Sequence, residues 1–108
     1  MLKVRFLLLL LILVVSGCSN RGTPLEDYLE RSITLDDKKR GYRVFVPKDR
    51  DANKKVPVML YLHGSGSRGD ENREQAWAFD SAIGPVKDRV DFIVVLPQCR
   101  ADLAWISD

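Results

Sequence analysis

Histidine and cysteine, from which many metal sites and covalent catalytic centres are built, are almost missing from this chain. Its 108 residues include one histidine, His63, and two cysteines, Cys18 and Cys99. No cluster of His, Cys or carboxylate residues has the spacing of metal ligands, which argues against a zinc or iron site. No lysine followed by Ser or Thr comes after the glycine-rich segment at residues 64–69, which argues against a phosphate-binding P-loop. The sequence therefore predicts no cofactor.

An excess of charge is also missing once the N-terminus is set apart. The formal net charge is +2, and Lys3 and Arg5 account for all of it. A chain that is neutral beyond its first residues has no electrostatic reason to bind nucleic acid. We predict no nucleic-acid partner.

Residues 1–17 have the composition of a targeting segment. Two basic residues are followed by an uninterrupted apolar run from Phe6 to Val15 and by two small residues before Cys18. This order is typical of a secretory signal peptide. The run is too short to cross a membrane, which takes about 20 apolar residues. A buried helix of a soluble protein, the alternative, would show a polar face, and this run has none.

The stretch "VSGC" resembles the bacterial lipoprotein signal, in which the cysteine is acylated and becomes the first residue of the mature chain. This resemblance implies that residues 1–17 are removed and that lipid on Cys18 anchors the protein to a membrane of the cell envelope without spanning it. Because Ser19 is not a retention aspartate, the implied location in a two-membrane bacterium is the outer membrane. Cys99 then has no partner for a disulfide; a small buried apolar residue is favoured over a reactive thiol.

The remaining chain alternates strand and helix patterns. Residues 18–30 are expected to be a lipid-anchored linker. The segments "SITL" and "YRVFV", separated by the charged turn "DDKKRG", predict an antiparallel hairpin. Two apolar runs, Val56–Leu62 and Phe92–Leu96, are typical of strands buried on both faces. The intervening segment predicts a helix that ends before Gly84-Pro85 and buries one face. That face carries Ala76, Trp77, Phe79, Ala82 and Ile83.

Strand, helix and strand within about forty residues form a βαβ crossover, which makes the two apolar strands parallel and the fold α/β. Ligands of such sheets bind beyond the carboxyl ends of the strands. The glycine-rich segment "HGSGSRGDEN", residues 63–72, follows the first apolar strand at such an end. Glycines there allow a tight turn and a close approach of backbone N–H groups to a ligand.

Together with "YRVFVPK", "VPVMLYLHG" and "VVLPQC", this segment resembles the α/β-hydrolase-fold esterases and predicted peptidases related to polyhydroxybutyrate depolymerases. The resemblance covers roughly residues 41–105. It implies that residues 31–108 are the N-terminal portion of an α/β-hydrolase domain with an incomplete sheet. It also implies that the backbone of Gly64, Ser65 and Gly66 contributes to an oxyanion hole. Ser67 stands where the family usually has Glu.

The nucleophile, the acid and the base of a serine hydrolase are not found. None of Ser65, Ser67, Ser81 and Ser107 lies in a G-x-S-x-G elbow, and His63 precedes every candidate nucleophile, whereas in this fold the base follows it. His63 is therefore predicted to be a structural hydrogen-bonding residue.

The chain is expected to be truncated before the nucleophile elbow of a lipid-anchored serine hydrolase of the carboxylesterase, phospholipase or peptidase type. Alone it is expected to be inactive, with an ester or peptide substrate only in a full-length form. The alternative is a cell-surface binding lipoprotein, suggested by "RGD" at residues 68–70. Residues beyond the last strand, including Asp102, Trp105 and Asp108, are expected to form a surface loop.

Overall fold

The computed structural model describes residues 24–106, which form a mixed four-stranded sheet with one α-helix. The elements in chain order are strands β1 (Tyr28–Leu35), β2 (Lys38–Phe45) and β3 (Val58–Leu60), helix α1 (Glu74–Ile83) and strand β4 (Ile93–Pro97). Short 3₁₀ turns occur at Pro24–Asp27, Ser65–Ser67 and Gly84–Arg89. The strand order in the sheet is β1-β2-β4-β3.

The predicted hairpin is confirmed, with a shorter turn and longer strands than the sequence indicates. β1 and β2 pair antiparallel, with Leu35 opposite Lys38, so only Asp36 and Asp37 form the turn. Both turn residues have positive φ, 49° and 58°. Two consecutive positive φ values match the right-handed twist of the flanking strands, and Asp tolerates this conformation better than most residues. The charged residues that follow, Lys38, Lys39 and Arg40, belong to β2, whose first residues are exposed.

The predicted crossover is also confirmed. β3 and β4 are parallel, with Val58 opposite Ile93 and Leu60 opposite Val95. Helix α1 connects them and ends before Gly84-Pro85 as expected. β4 also pairs antiparallel with β2, a contact that joins the hairpin and the crossover into one sheet.

Helix α1 covers one face of the sheet and closes the core. Phe79 of the helix lies 4.9 Å from the ring of Tyr61 and 6.3 Å, edge to face, from the ring of Tyr28. The buried cluster consists of Tyr28, Phe45, Ala76, Phe79, Val94 and Leu96. Not every residue of the predicted helix face is buried. Ala82 is exposed, and Trp77 is half-buried beneath the Arg73 guanidinium.

The sequence predicts a strand buried on both faces at this position, and β3 differs from that prediction. Met59 and Tyr61 pack against the core, whereas Val58 and Leu60 are 65% and 61% exposed and Leu62 is exposed as well. A strand is buried on both faces only when a layer covers each face. In the described range the one α-helix packs on a single face, so the other face of β3 is open.

The N-terminal boundaries are partly visible. The segment expected to be linker, residues 18–30, overlaps the 3₁₀ turn at Pro24–Asp27 and the start of β1, where Tyr28 enters the core. The proposed signal peptide and Cys18 lie outside the described residues. No helix within residues 24–106 has the length and apolar character to cross a membrane.

Candidate functional site

The loop after β3 carries three backbone N–H groups without a hydrogen-bond partner in the described part of the chain. These belong to Gly64, Ser65 and Gly66, and all three residues are exposed. The next N–H groups are paired: Ser67 donates to the Gly64 carbonyl at 3.1 Å and Gly69 donates to the Cys99 carbonyl at 3.0 Å. An exposed N–H is hydrated, and a polarised or anionic oxygen can replace that water. The unpaired donors occur at the positions for which the family resemblance implies an oxyanion hole.

Neither a left-handed backbone nor crowding among the described residues requires glycine at positions 64 and 66. The tight turn expected here is the 3₁₀ turn at Ser65–Ser67, and no glycine among the described residues has a positive φ. A Cβ placed on Gly64 or Gly66 would have no heavy atom within 4 Å, which leaves open room beside their N–H groups. The left-handed residue of the segment is Asn72, with φ of 54°.

His63 has a structural position, as predicted. It is 3% exposed, and its Nε2 accepts a 2.9 Å hydrogen bond from the backbone N–H of Cys99. Because that N–H can only donate, the ring proton is on Nδ1, which donates to the Gly64 carbonyl at 2.6 Å. Both ring nitrogens are thereby occupied, and neither is available to take a proton from a serine.

Trp105 lies in the exposed loop beyond β4 that the sequence predicts, and it is part of this arrangement. Its indole N–H donates to the His63 carbonyl at 2.8 Å, and the two rings lie 4.8 Å apart, edge to face. A cavity of about 110 Å³ lies beside them. Its lining residues are His63, Gly64, Ser65, Arg68, Cys99, Leu103, Ala104 and Trp105. Cys99, as expected, is a buried free thiol.

Sequence reasoning missed a buried amide network at the far end of the loop, centred on Asn72. The Asn72 carbonyl accepts from Nε of Arg43 at 2.7 Å, and its side-chain NH₂ donates to the Tyr42 carbonyl at 3.1 Å. Gln75 donates to Oδ1 of Asn72 at 2.6 Å. Gly41 makes room, because a Cβ there would lie 2.8 Å from Cγ of Asn72. An asparagine shortly before a helix could have signalled a left-handed residue, but its partners are distant in sequence.

The serines of the described range are not arranged for nucleophilic attack. Neither Ser65 nor Ser67 makes a side-chain hydrogen bond to any described residue, and Ser81 donates to the Trp77 carbonyl inside α1. A serine nucleophile needs a base within hydrogen-bond reach. The nitrogens of the single histidine are already paired. Ser107 lies outside the described residues.

The "RGD" tripeptide is tied to the protein surface. The Arg68 guanidinium donates to the carbonyls of Ser65 and Leu103 at 3.2 and 3.1 Å. Gly69 is buried, whereas Arg68 and Asp70 are exposed. A tripeptide held in this way does not protrude as a flexible recognition loop.

The three loop glycines also have the G-x-G-x-x-G spacing of dinucleotide-binding loops. In that pattern the last glycine packs at the start of a helix whose N-terminus faces the phosphates. Here α1 begins at Glu74, five residues beyond Gly69, and the Gly69 N–H is used by Cys99. The loop therefore lacks the geometry of a dinucleotide site. Within residues 24–106, no group of three or more His, Cys, Asp or Glu side chains could hold a metal ion.

Comparison with known proteins relates the fold to one class of enzyme. No protein-family model and no curated protein matches the chain. A solved structure described as the crystal structure of a thermostable esterase matches with a TM-score of 0.62 and 29% identity over 75% of this chain. The chain spans 23% of the length of that esterase. The predicted fold class is thereby confirmed: the mixed sheet and its helix correspond to an incomplete α/β-hydrolase-like fold.

Proposed function

We propose that this chain is the N-terminal part of a lipid-anchored carboxyl-ester hydrolase and supplies half of its oxyanion hole. The observation that carries the proposal is the set of three unpaired N–H groups at Gly64, Ser65 and Gly66, in a fold that matches part of an esterase. Substrates of the phospholipase or peptidase type share the same acyl chemistry and remain within the proposal.

The loop N–H groups would act on the oxyanion of the tetrahedral intermediate. In α/β-hydrolases one donor comes from the loop after this strand and the other from the residue that follows the nucleophile. Donors of this kind stabilise the developing charge in the transition state, each by about 3 to 4 kcal/mol. The room beside Gly64 and Gly66 supports access of an acyl oxygen to these donors.

The chain alone is proposed to be inactive. A transferable acyl group needs an activated nucleophile and a base, and the pairing of both His63 nitrogens leaves Ser65 and Ser67 without one. The nucleophile elbow, the acid and the base would have to come from polypeptide other than these 108 residues.

The anchor is proposed to be lipid on Cys18, with residues 1–17 removed as a lipoprotein signal peptide. Five residues then separate Cys18 from the first described element at Pro24, so the folded part would lie close to the membrane surface. A substrate presented at that surface would meet the enzyme without diffusing through bulk water.

A cell-surface binding lipoprotein is the second candidate. Its sequence hint is "RGD", and the hydrogen bonds of Arg68 to Ser65 and Leu103 disfavour it.

The deciding experiment reads the genomic DNA around this chain. We define the parent reading frame as the longest in-frame or frameshift-joined reading frame that contains residues 1–108. We expect it to encode G-x-S-x-G beyond Asp108, and its product to hydrolyse an activated acyl ester and to react with a serine-directed fluorophosphonate probe. The 108-residue chain should do neither. Stoichiometric labelling of Ser65 or Ser67 in the short chain, or an unreactive parent protein, would overturn the proposal.

A further inference from the structure

Gln98 is the first residue after β4, and both polar atoms of its side-chain amide form hydrogen bonds with the loop. It is 8% exposed. Its Oε1 accepts a 2.6 Å hydrogen bond from the backbone N–H of Asn72, and its Nε2 donates to the Ser67 carbonyl at 3.1 Å. Its own N–H donates to the Gly41 carbonyl at 3.3 Å. The side chain of Gln98 thus joins the loop to the end of β4, and its backbone N–H joins that end to Gly41 within β2.

The orientation of this amide is fixed by its partners. A backbone N–H can only donate and a backbone carbonyl can only accept, so Oε1 must face Asn72 and Nε2 must face Ser67. An ionised carboxylate could accept from Asn72 but would repel the Ser67 carbonyl. The site therefore requires a neutral group that donates on one side and accepts on the other.

Without Gln98, the central part of the loop has weak internal support. The 3₁₀ turn at Ser65–Ser67 is held by two backbone hydrogen bonds, of which the one from the Arg68 N–H to the Ser65 carbonyl is 3.4 Å long, and by the exposed Arg68 side chain, which donates to the same carbonyl at 3.2 Å. The ends of the loop are fixed elsewhere, by His63 at Gly64 and by the Cys99 carbonyl at Gly69. Gln98 supplies the fixation between them.

Gly69 allows Gln98 to reach the loop. A Cβ on Gly69 would lie 2.5 Å from Oε2 of Glu71 and 3.0 Å from Nε2 of Gln98, both closer than ordinary van der Waals contact. The glycine therefore leaves room for both side chains, including the amide of Gln98 that reaches Ser67.

We propose that Gln98 is the positioning residue of the oxyanion loop, which keeps the turn at Ser65–Ser67 in the conformation that leaves the N–H groups of Gly64, Ser65 and Gly66 unpaired. The inference rests on the function proposed above and deepens it. Gln98 does not touch the acyl group; it acts through Ser67 and Asn72. A glutamine that only filled space would not hold the loop through hydrogen bonds of this kind.

The test uses the parent protein in detergent micelles and the variants Gln98→Glu and Gln98→Met. Hydrogen–deuterium exchange is followed by mass spectrometry and normalised to intrinsic exchange rates at each pH. At pH 7 both variants should exchange about tenfold faster than wild type in peptides that cover residues 64–72, as expected for a lost buried hydrogen bond. Peptides from β1 and β2 should not change.

Lowering the pH distinguishes the effect of lost hydrogen bonds at residue 98 from the effect of a changed side-chain shape. Below about pH 4.3 the carboxyl of Gln98→Glu is neutral and can donate to Ser67 while it accepts from Asn72. Loop protection should then return to the wild-type level in Gln98→Glu and stay low in Gln98→Met. Wild-type protection in Gln98→Met, or no recovery of Gln98→Glu, would overturn the positioning role. If Gln98→Met does not fold, the pH response of Gln98→Glu still decides.

Ester hydrolysis supplies the functional half of the test. We expect kcat of Gln98→Glu at pH 7 to fall about tenfold or more while KM changes by less than about threefold, since the loop acts on the transition state. An unchanged kcat together with faster loop exchange would reject the link to catalysis. A wild-type parent protein without hydrolytic activity would reject the proposed function, and the exchange data would still report on Gln98.

Discussion

The backbone N–H of Cys99 donates a 2.9 Å hydrogen bond to Nε2 of His63, and this contact ties the chain after β4 to the chain after β3. Both residues are buried. A histidine held in this way supports the loop that follows it. Its role is structural, even though it stands directly beside the candidate oxyanion donors.

We expect His63→Ala to lower the free energy of unfolding of the parent protein by about 2 to 3 kcal/mol, because the buried N–H of Cys99 loses its acceptor. Urea denaturation measures this. Trp105→Phe is the matched control: it keeps the ring contact and loses one hydrogen bond to the His63 carbonyl, at a cost of about 1 kcal/mol. Intact stability with complete loss of hydrolysis in His63→Ala would instead make His63 a catalytic residue.

Two glycines should respond oppositely to alanine. At Gly66 a Cβ meets no heavy atom within 4 Å, so Gly66→Ala should leave the unfolding free energy within about 1 kcal/mol of wild type. Its methyl group would occupy the space beside the unpaired N–H groups, and we expect kcat for ester hydrolysis to fall about tenfold or more.

Gly41→Ala should show the reverse pattern. Its Cβ would lie 2.8 Å from Cγ of Asn72, whose hydrogen bonds prevent it from moving aside. We expect a loss of about 1 to 3 kcal/mol in stability. Thermal melts and ester kinetics on both variants distinguish the two cases, and a strongly destabilised Gly66→Ala would contradict the open space assigned to that residue.

Much of the fold follows from local patterns. The hairpin, the helix end at Gly84-Pro85 and the parallel crossover were predictable because apolar periodicity and turn residues are read within a few positions. The burial of β3 was not, because it depends on which layers cover the sheet. The turn was placed too widely because the polar residues of a half-exposed strand look like turn residues.

The hydrogen bonds that support the candidate loop were less predictable than the position of the loop in the sequence. Glycines and a histidine after an apolar strand mark the loop, whereas Asn72 and Gln98, 26 residues apart in sequence, form a hydrogen bond that no local pattern encodes. Single buried amides have no periodicity. Their importance becomes visible only when the backbone groups that they satisfy are known.

A second cluster, at the opposite end of the core, should govern the pH dependence of stability. The Lys87 ammonium binds the carboxylates of Asp27 and Asp80, and the Tyr28 hydroxyl donates to Asp80. The hydrogen bond from Lys87 lowers the pKa of Asp27 despite its desolvation. Burial acts to lower the pKa of Lys87, but its hydrogen bonds to the two carboxylates outweigh burial and raise it. Burial and the bond to Asp80 raise the pKa of Tyr28.

The directions of these pKa shifts determine how the stability contribution of each group changes with pH. The contribution of Asp27 is present above its unfolded pKa and is lost as the pH falls, whereas those of Lys87 and Tyr28 are present below their unfolded pKa values and are lost as the pH rises. The contribution of this cluster to stability should therefore be constant between about pH 5 and 9 and decrease on both sides.

Replacement of Lys87 tests this pH dependence of stability. We expect Lys87→Met to cost about 1 to 3 kcal/mol on that plateau, with a smaller difference from wild type at either extreme. The control Lys48→Met, whose side chain is 73% exposed, should cost less than about 1 kcal/mol. Urea melts across the pH range provide the data, and a pH-independent cost for Lys87→Met would contradict the assignment.

The lipid anchor is tested at Cys18. Mass spectrometry of the membrane fraction should find an acylated N-terminal peptide that begins at Cys18, and Cys18→Ser should remain an unprocessed precursor without lipid. In a two-membrane bacterium the acylated form should sediment with the outer membrane, since Ser19 is not a retention aspartate. A chain that begins at Met1, or an unmodified chain in the soluble fraction, would refute the anchor.

The open face of β3 makes a prediction about the isolated chain. β3 is an edge strand of the described sheet, and Val58 and Leu60 on its outward face, with Leu62 just after it, are each more than half exposed. An unpaired edge next to an apolar face is a template for intermolecular strand pairing. Each few hundred Å² of apolar surface left in water forgoes several kcal/mol of burial at about 25 cal/mol per Å², against a typical net stability of about 5 to 15 kcal/mol.

We therefore expect residues 19–108, expressed without lipid, to be associated or partly folded in sedimentation experiments. Leu60→Lys, which places a charge on the exposed face, should reduce association without a loss of secondary structure. Met59→Lys is the matched control one residue away: its side chain packs against the core, so the charge should abolish folding instead. A wild-type monomer with a cooperative two-state melt would mean that the open face needs no partner and that residues 19–108 are a stable domain in their own right.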